Sequence, residues 1–316
     1  MPTPRVLFVT SNRIGDCVIS SGVIREIGRQ FPGARITVAC GRPPAPLFRA
    51  GPGVERVIVL DKQKAGGHWF GLWRQVVGTR WDLVVDIRGS ALAWLVPTRS
   101  RRVYNRSWET GLRKVEMVSR MMGADRPLDP ELFIDQRARA EAAAVIDPQL
   151  QAGAGLGPIL ALAPIAHQPG KSWPAERWGL LVERLMTEPR FDGWRFMLVG
   201  GPGDQAPAAP ALAAAGDRAI DFVGKGDILA SAAAIDRAAL FVGNDSGLMH
   251  VAAAAGRPTL GLFGPTEWWL YGPWGPRTRT VASNETRGRF APIEDLSVDH
   301  VFDGVVALHD AFPATA

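Results

Sequence analysis

The chain has 316 residues, 47% hydrophobic and 21% charged, a length that suggests two domains of roughly 150 residues each and a composition that excludes general disorder. No apolar run approaches the roughly 18–20 residues of a membrane span, and residues 6–9 are too short a stretch for a signal-peptide core. The net charge of +5 divides unevenly: residues 1–150 carry 23 Lys and Arg against 14 Asp and Glu, residues 151–316 carry 13 against 17, so the first half is expected to meet something anionic, nucleic acid or a membrane surface.

Residues 5–10 (RVLFVT) have the shape of a buried parallel strand, and a loop over 11–16 leads to a helix expected over 17–30, closed by Phe31-Pro32-Gly33. Strands follow at 35–39 and 54–60, a helix at 69–77, a strong strand at 81–87 (WDLVVDI) and a short one at 102–104. An Ala-rich helix covers 136–146, and residues 147–158 lose all periodicity, which places a linker there. The pattern restarts with a strand at 159–163, a helix at 175–187 and a strand at 195–199. An interrupted helix over 207–216 follows, then strands at 220–223 and 239–242 around a helix near 227–236. A helix at 250–255, a strand at 259–263 and a closing helix at 298–309 complete the chain. Strands alternating with helices indicate βαβ units and parallel sheets. The expected architecture is α/β with two successive Rossmann-like domains, 1–150 and 158–296, and a C-terminal helix within 297–316 that packs back on the first domain. Open sheets of this kind bind ligands outside the carboxyl ends of their strands.

Residues 239–266 (ALFVGNDSGLMHVAAAAGRPTLGLFGPT) carry the most chemistry. Asn244 or Asp245 is expected to cap a helix, leaving the N–H groups of Ser246, Gly247 and Leu248 at its open start. Free N–H groups at the positive end of a helix dipole suit a phosphate or pyrophosphate. His250 lies one turn after Ser246 on the same face. The bland alternative is a simple cap, a satisfied core histidine and glycines that only turn the chain.

This segment closely resembles the signature of the heptosyltransferases, glycosyltransferase family 9. Arg13-Ile14-Gly15-Asp16 is similar to the family's IGD loop, residues 81–89 (WDLVVDIRG) to its D-L-V-I-D-x-x-G strand, Lys171-Ser172-Trp173-Pro174 to its K-x-W-P element, and Val199-Gly200-Gly201 with Asp204 to its G-G-x-x-E loop. Five elements in family order make the resemblance specific. It implies the GT-B fold, with two parallel sheets facing across a central cleft. It also implies an inverting, metal-independent transfer of a heptose-like sugar from a nucleotide-diphosphate donor, ADP-heptose in the family, to a lipopolysaccharide-core or related acceptor. Asp16 matches the general base, which an inverting transfer needs to take the acceptor's proton. Lys171, Gly201, Asp204, Asp245, Ser246, Gly247 and His250 match donor-binding positions.

Arg13, Arg88, Arg101, Arg102 and Arg106 are candidates for an anionic acceptor, since guanidinium forks match phosphate and carboxylate; Arg99, Arg113 and Lys114 extend the same basic cluster. Three departures bear on the sugar and acceptor. Ala166 and His167 stand where the family has Ser or Thr, residues 17–23 read CVISSGV where it shows Thr and Pro, and Arg88 replaces a common Gln. No cofactor is expected beyond the co-substrate, and no nucleic-acid motif accompanies the arginines. With only Cys17 and Cys40, too few to staple the chain, a cytoplasmic location is expected, with peripheral contact at the inner membrane through the basic surface. Two other readings stay open: a GT-B-like sugar-nucleotide epimerase or hydrolase, and a non-catalytic sugar-nucleotide-binding protein.

Overall fold

The computed structural model describes residues 3–105, 111–153 and 157–314. It divides into two compact units, Met1–Phe133 and Ile134–Ala316. The first runs β1 (Arg5–Val9), α1 (Ile14–Ile19), α2 (Gly22–Gln30), β2 (Arg35–Cys40), β3 (Val54–Val59), α3 (Gly67–Val76), β4 (Trp81–Asp86), α4 (Leu92–Leu95), β5 (Thr98–Val103) and α5 (Lys114–Met122). Its five strands are all parallel in the order β3-β2-β1-β4-β5. The central strands are almost wholly buried because helices cover both faces, hence their continuous apolar runs.

The second unit opens with α6 (Gln136–Ala152) and continues β6 (Ile159–Ala163), α7 (Ala175–Thr187), β7 (Arg195–Gly200), α8 (Gln205–Ala215), β8 (Ala219–Val223), α9 (Ile228–Asp236), β9 (Leu240–Asn244), α10 (Gly247–Ala254), β10 (Thr259–Phe263), α11 (Trp268–Tyr271), β11 (Thr278–Ala282) and α12 (Val298–Ala311). Its six parallel strands lie in the order β11-β10-β9-β6-β7-β8. In each sheet the strand order reverses once, between β1 and β4 in the first and between β6 and β9 in the second. Such reversals splay the connecting loops apart and open a ligand crevice at the carboxyl ends of the strands.

Four features depart from the sequence expectation. The helix expected over 17–30 is broken at Ser20-Ser21. There the Ser20 hydroxyl donates to the carbonyls of Asp16 and Cys17, and that of Ser21 to Val18 at 2.6 Å, competing with the helical ladder. The expected linker at 147–158 is instead helical as far as Ala152, through Pro148. Gln149 exchanges hydrogen bonds with the Asp221 backbone on β8, and Arg195, fully buried, donates to the carbonyls of Gln149 and Arg218. With Ala138, Ala142 and Ile146 buried, α6 belongs to the second unit, and the division falls at 133/134 rather than 150. The closing helix packs on α7, β10 and β11 of its own unit, contributing Val301, Val305 and Leu308 to that core. Finally, β11, α4 and α5 lie outside the sequence expectation, although α5 has an apolar face, Glu116 in its first turn and a left-handed Gly123 at its end.

Candidate functional site

In the first unit the chemistry collects where β1 and β4 end. After β1 the chain turns through Ser11 and Asn12 into α1, which places Asp16 in the helix's first turn. One carboxylate oxygen of Asp16 meets the Lys114 ammonium at 2.7 Å, and the other accepts from the Ser11 hydroxyl at 2.9 Å. Burial pushes this carboxyl up, but the Lys114 charge, the bonds from Lys114 and Ser11 and the nearby Arg13 together outweigh it. Its pKa therefore lies below the ordinary carboxylate value. Asp16 stays partly open, with 22% of its side chain accessible.

At the end of β4, buried Asp86 accepts the N–H groups of Arg88 and Ser90, both at 2.9 Å, and the Ser90 hydroxyl at 2.5 Å. Burial is the largest influence on Asp86, and its pKa is raised despite those bonds. The turn it holds aims Arg88 at Asn12, Nη1 to Oδ1 at 3.0 Å, so the loops after β1 and β4 are tied together. Arg88 also stacks on Trp69, 4.8 Å from guanidinium carbon to ring centre.

Of the other acceptor candidates, Arg13 is exposed at the N-cap of α1. Arg101 and Arg102 lie on the edge strand β5, where Arg101 stacks on Trp94 at 4.6 Å. Arg106 lies outside the described residues. Lys114 faces Asp16. Cys17 and Cys40 are buried thiols, the latter pushed up to about 12 by burial.

In the second unit the loops after β6 and β9 meet at the other reversal. Lys171 reaches Asp245 at 2.6 Å, and the same Asp245 oxygen accepts from the Thr266 hydroxyl at 2.8 Å. Asn244 does not cap α10. Fully buried, it donates to the Pro164 carbonyl at 2.7 Å and accepts the Trp173 N–H at 3.1 Å, locking the two loops. Nor does Asp245 cap. Ser246 occupies the N-cap with an extended backbone, its side chain makes no capping bond, and its buried hydroxyl has no hydrogen-bond partner among the described residues. The first N–H groups of α10, from Gly247 onward, have no partner within the helix. They stand next in the chain to an Asp245 already neutralised by Lys171. His250 is buried on the same helix. Gly264, after β10, lets the chain pass close to Ile293: a Cβ there would lie 2.5 Å from that of Ile293.

Gly201 and Asp204 sit in the turn after β7, next to β6. One Asp204 oxygen accepts the Gly201 N–H at 2.7 Å and the other lies 3.3 Å from Nε2 of His167, so both carboxylate oxygens have internal partners. His167 is itself 76% exposed in its side chain. Ser172 exchanges hydrogen bonds with the Ala166 backbone. In the sequence Lys114 is only one of a cluster of cations, because nothing in the local pattern links it to a carboxylate 98 residues away; Asp86 lies in the D-L-V-I-D-x-x-G match without being singled out there, and Ser11 carries no signal as a site residue.

The model of glycosyltransferase family 9 (heptosyltransferase) matches residues 90–291. Lipopolysaccharide heptosyltransferase 1 of Pseudomonas aeruginosa is 28% identical over 309 residues, covering 86% of this chain and 81% of its own. The solved glycosyl transferase family 9 protein of Veillonella parvula superposes with a TM-score of 0.82 at 20% identity over 98% of each chain. E. coli heptosyltransferase WaaC with ADP-2-deoxy-2-fluoro heptose gives 0.69 at 19% identity, covering 96% of this chain and 99% of the other. These likenesses establish the fold, two parallel-sheet α/β domains of the GT-B type.

Proposed function

Because the chain belongs to glycosyltransferase family 9, the heptosyltransferase family, we propose that it transfers heptose from ADP-heptose to a lipopolysaccharide-core acceptor with inversion at the anomeric carbon, without a metal ion. Asp16 takes the proton of the acceptor hydroxyl as its oxygen attacks that carbon. The bond from the anomeric carbon to the diphosphate breaks, and ADP leaves with the electron pair. Lys114, Ser11 and Arg13 keep the base ionised before attack, at some cost in basicity.

The observation that carries this reading is the grouping of Lys171, Thr266 and the open start of α10 around Asp245. An ammonium, a hydroxyl and unpaired amide N–H groups suit the charge that builds on a departing diphosphate. Gly247 lets the phosphates approach the helix start, Ser246 has a hydroxyl to offer them, and His250 and Asp245 hold the sugar side of the donor. Asp204 serves the ribose hydroxyls by exchanging His167 for them, while its bond to Gly201 holds the turn. Arg13, Arg88, Arg101, Arg102 and Arg106 receive the phosphates or acidic sugars of the acceptor.

We further propose a cytoplasmic enzyme that touches the inner membrane peripherally through its basic first unit. Among the described residues no helix is long and apolar enough to cross a membrane. For the chemistry, Asp16→Asn is expected to lower transfer by roughly 100-fold or more while ADP affinity, measured calorimetrically, stays within experimental error. Undiminished transfer by that variant removes Asp16 from the mechanism.

A further inference from the structure

Beside Arg88 and Arg101, given above to the acceptor, the first unit carries apolar side chains to which the reaction assigns no role. Helices α3 and α4 lie together, with Trp73 Nε1 donating to the Leu95 carbonyl at 3.1 Å. Between them opens a cavity of about 760 Å³ lined by Trp69, Phe70, Trp73, Leu92 and Leu95, with Arg88 at one side. Phe70, Trp94 and Leu95 are 62%, 64% and 61% exposed, the three most exposed large hydrophobic side chains among the described residues. Apolar side chains of this size, grouped on two adjacent short helices, are unusual on a surface that meets only water.

The charge along these stretches is mainly positive. Residues 62–80 contain Lys62, Lys64, Arg74 and Arg80, and residues 87–105 contain Arg88, Arg99, Arg101 and Arg102, with no Asp or Glu in either stretch; of the carboxylates between them, Asp82 pairs with Arg99 at 3.2 Å and Asp86 is buried. Two of these guanidinium groups already lie on the aromatic rings, Arg88 on Trp69 and Arg101 on Trp94. Side chains with an apolar body beside a cationic head suit the boundary between lipid headgroups and acyl chains. Charge complementarity selects an anionic bilayer over a second copy of this chain, which would bring the same cations face to face.

We propose that the α3–α4 face is a membrane-seating surface, in which Phe70, Trp94 and Leu95 enter the interface of an anionic bilayer while the flanking lysines and arginines meet its headgroups. This rests on the peripheral-contact reading above and adds the surface and its apolar component. A contact of this kind is only partly released by salt, because screening weakens the ionic share and leaves apolar burial intact.

The test is co-sedimentation of the full-length protein with vesicles of phosphatidylcholine, with and without phosphatidylglycerol, at low and physiological salt. The variant Phe70→Ser/Trp94→Ser/Leu95→Ser is compared with Leu180→Ser, a comparably exposed apolar position on α7. Support consists of wild-type binding to the anionic vesicles that falls about tenfold or more in the triple variant and is unchanged in Leu180→Ser, with circular dichroism unaltered. If the triple variant binds as wild type does, this surface is overturned while peripheral contact survives. If wild type binds no vesicles, both fall, and the transferase reading is judged separately with a soluble acceptor. A dimer in sedimentation velocity that the triple substitution dissolves also overturns the proposal, making the face an interface between copies.

Discussion

At the residue scale the first unit balances two opposing influences on one carboxylate. Burial alone would leave Asp16 protonated more readily; the ammonium of Lys114 2.7 Å away, with Ser11 and Arg13, holds it ionised. An acid whose folded pKa is depressed adds stability above its unfolded value, and that stability is lost as pH falls through the lower folded value. Lys114→Met is therefore expected to flatten the acid side of the stability profile. If Asp16 is the base, the same variant moves the acidic limb of kcat/KM upward, because the charge that holds the carboxyl low is gone, and Lys114→Arg restores it. A lysine that merely holds α5 in place would lower the rate at every pH without moving the limb, so the pH profile separates positioning from packing. The residues of this pair are individually visible in the sequence, but their pairing is not: periodicity and spacing say nothing about which basic residue of a cluster reaches back across 98 positions.

At the scale of elements, local pattern and tertiary demand disagree most clearly at α6. Pro148 and the glycines after it read as a linker, since proline lacks the donor a helix needs. The helix nonetheless continues to Ala152 because its end is docked. Buried Arg195 at the start of β7 supplies a cation and donors to the last carbonyls of α6, where the helix dipole favours positive charge. Arg195→Met is expected to cost about 3 kcal/mol in urea denaturation, because it strands buried carbonyls of residues 149, 218 and 219. Loss of amide protection confined to α6 and β8 in hydrogen exchange would locate the damage. An unchanged midpoint would show that α6 holds without this cap. The break between α1 and α2 has the same origin at smaller scale: Ser20 and Ser21 are acceptable in a helix, yet their hydroxyls bond backward and Ser21 accepts the Glu131 N–H at 2.7 Å.

For the molecule as a whole, two units with separate sheets divide the proposed reaction into holding a donor and activating an acceptor. The second unit has its own core around Trp173, Trp178, Phe196 and Leu260, including the closing helix. Residues 134–316 expressed alone are accordingly expected to fold cooperatively and to bind ADP within about tenfold of the full chain, as measured by thermal denaturation and calorimetry. The same piece cut at 158 lacks α6 and should be markedly less stable. If the 134–316 piece folds but binds no ADP, the donor site needs residues of the first unit, and the division of labour proposed here is wrong.

What the amino-acid order determined by itself is whatever depends on neighbours along the chain. Apolar runs bounded by turns marked the parallel strands, their alternation with helices marked the α/β class, the strand-end glycine turn marked 244–247, and the resemblance of short motifs to family 9 marked Asp16 and Lys171. Those signals survive because buried parallel strands and ligand loops impose composition locally. Only the tertiary structure decided that α6 and the closing helix belong to the second unit, that Asn244 locks two loops instead of capping α10, and that Lys114 serves Asp16. Each of these is settled by free energy gained between residues far apart in sequence, in burial or in satisfying a buried polar group, and that gain leaves no period in the chain.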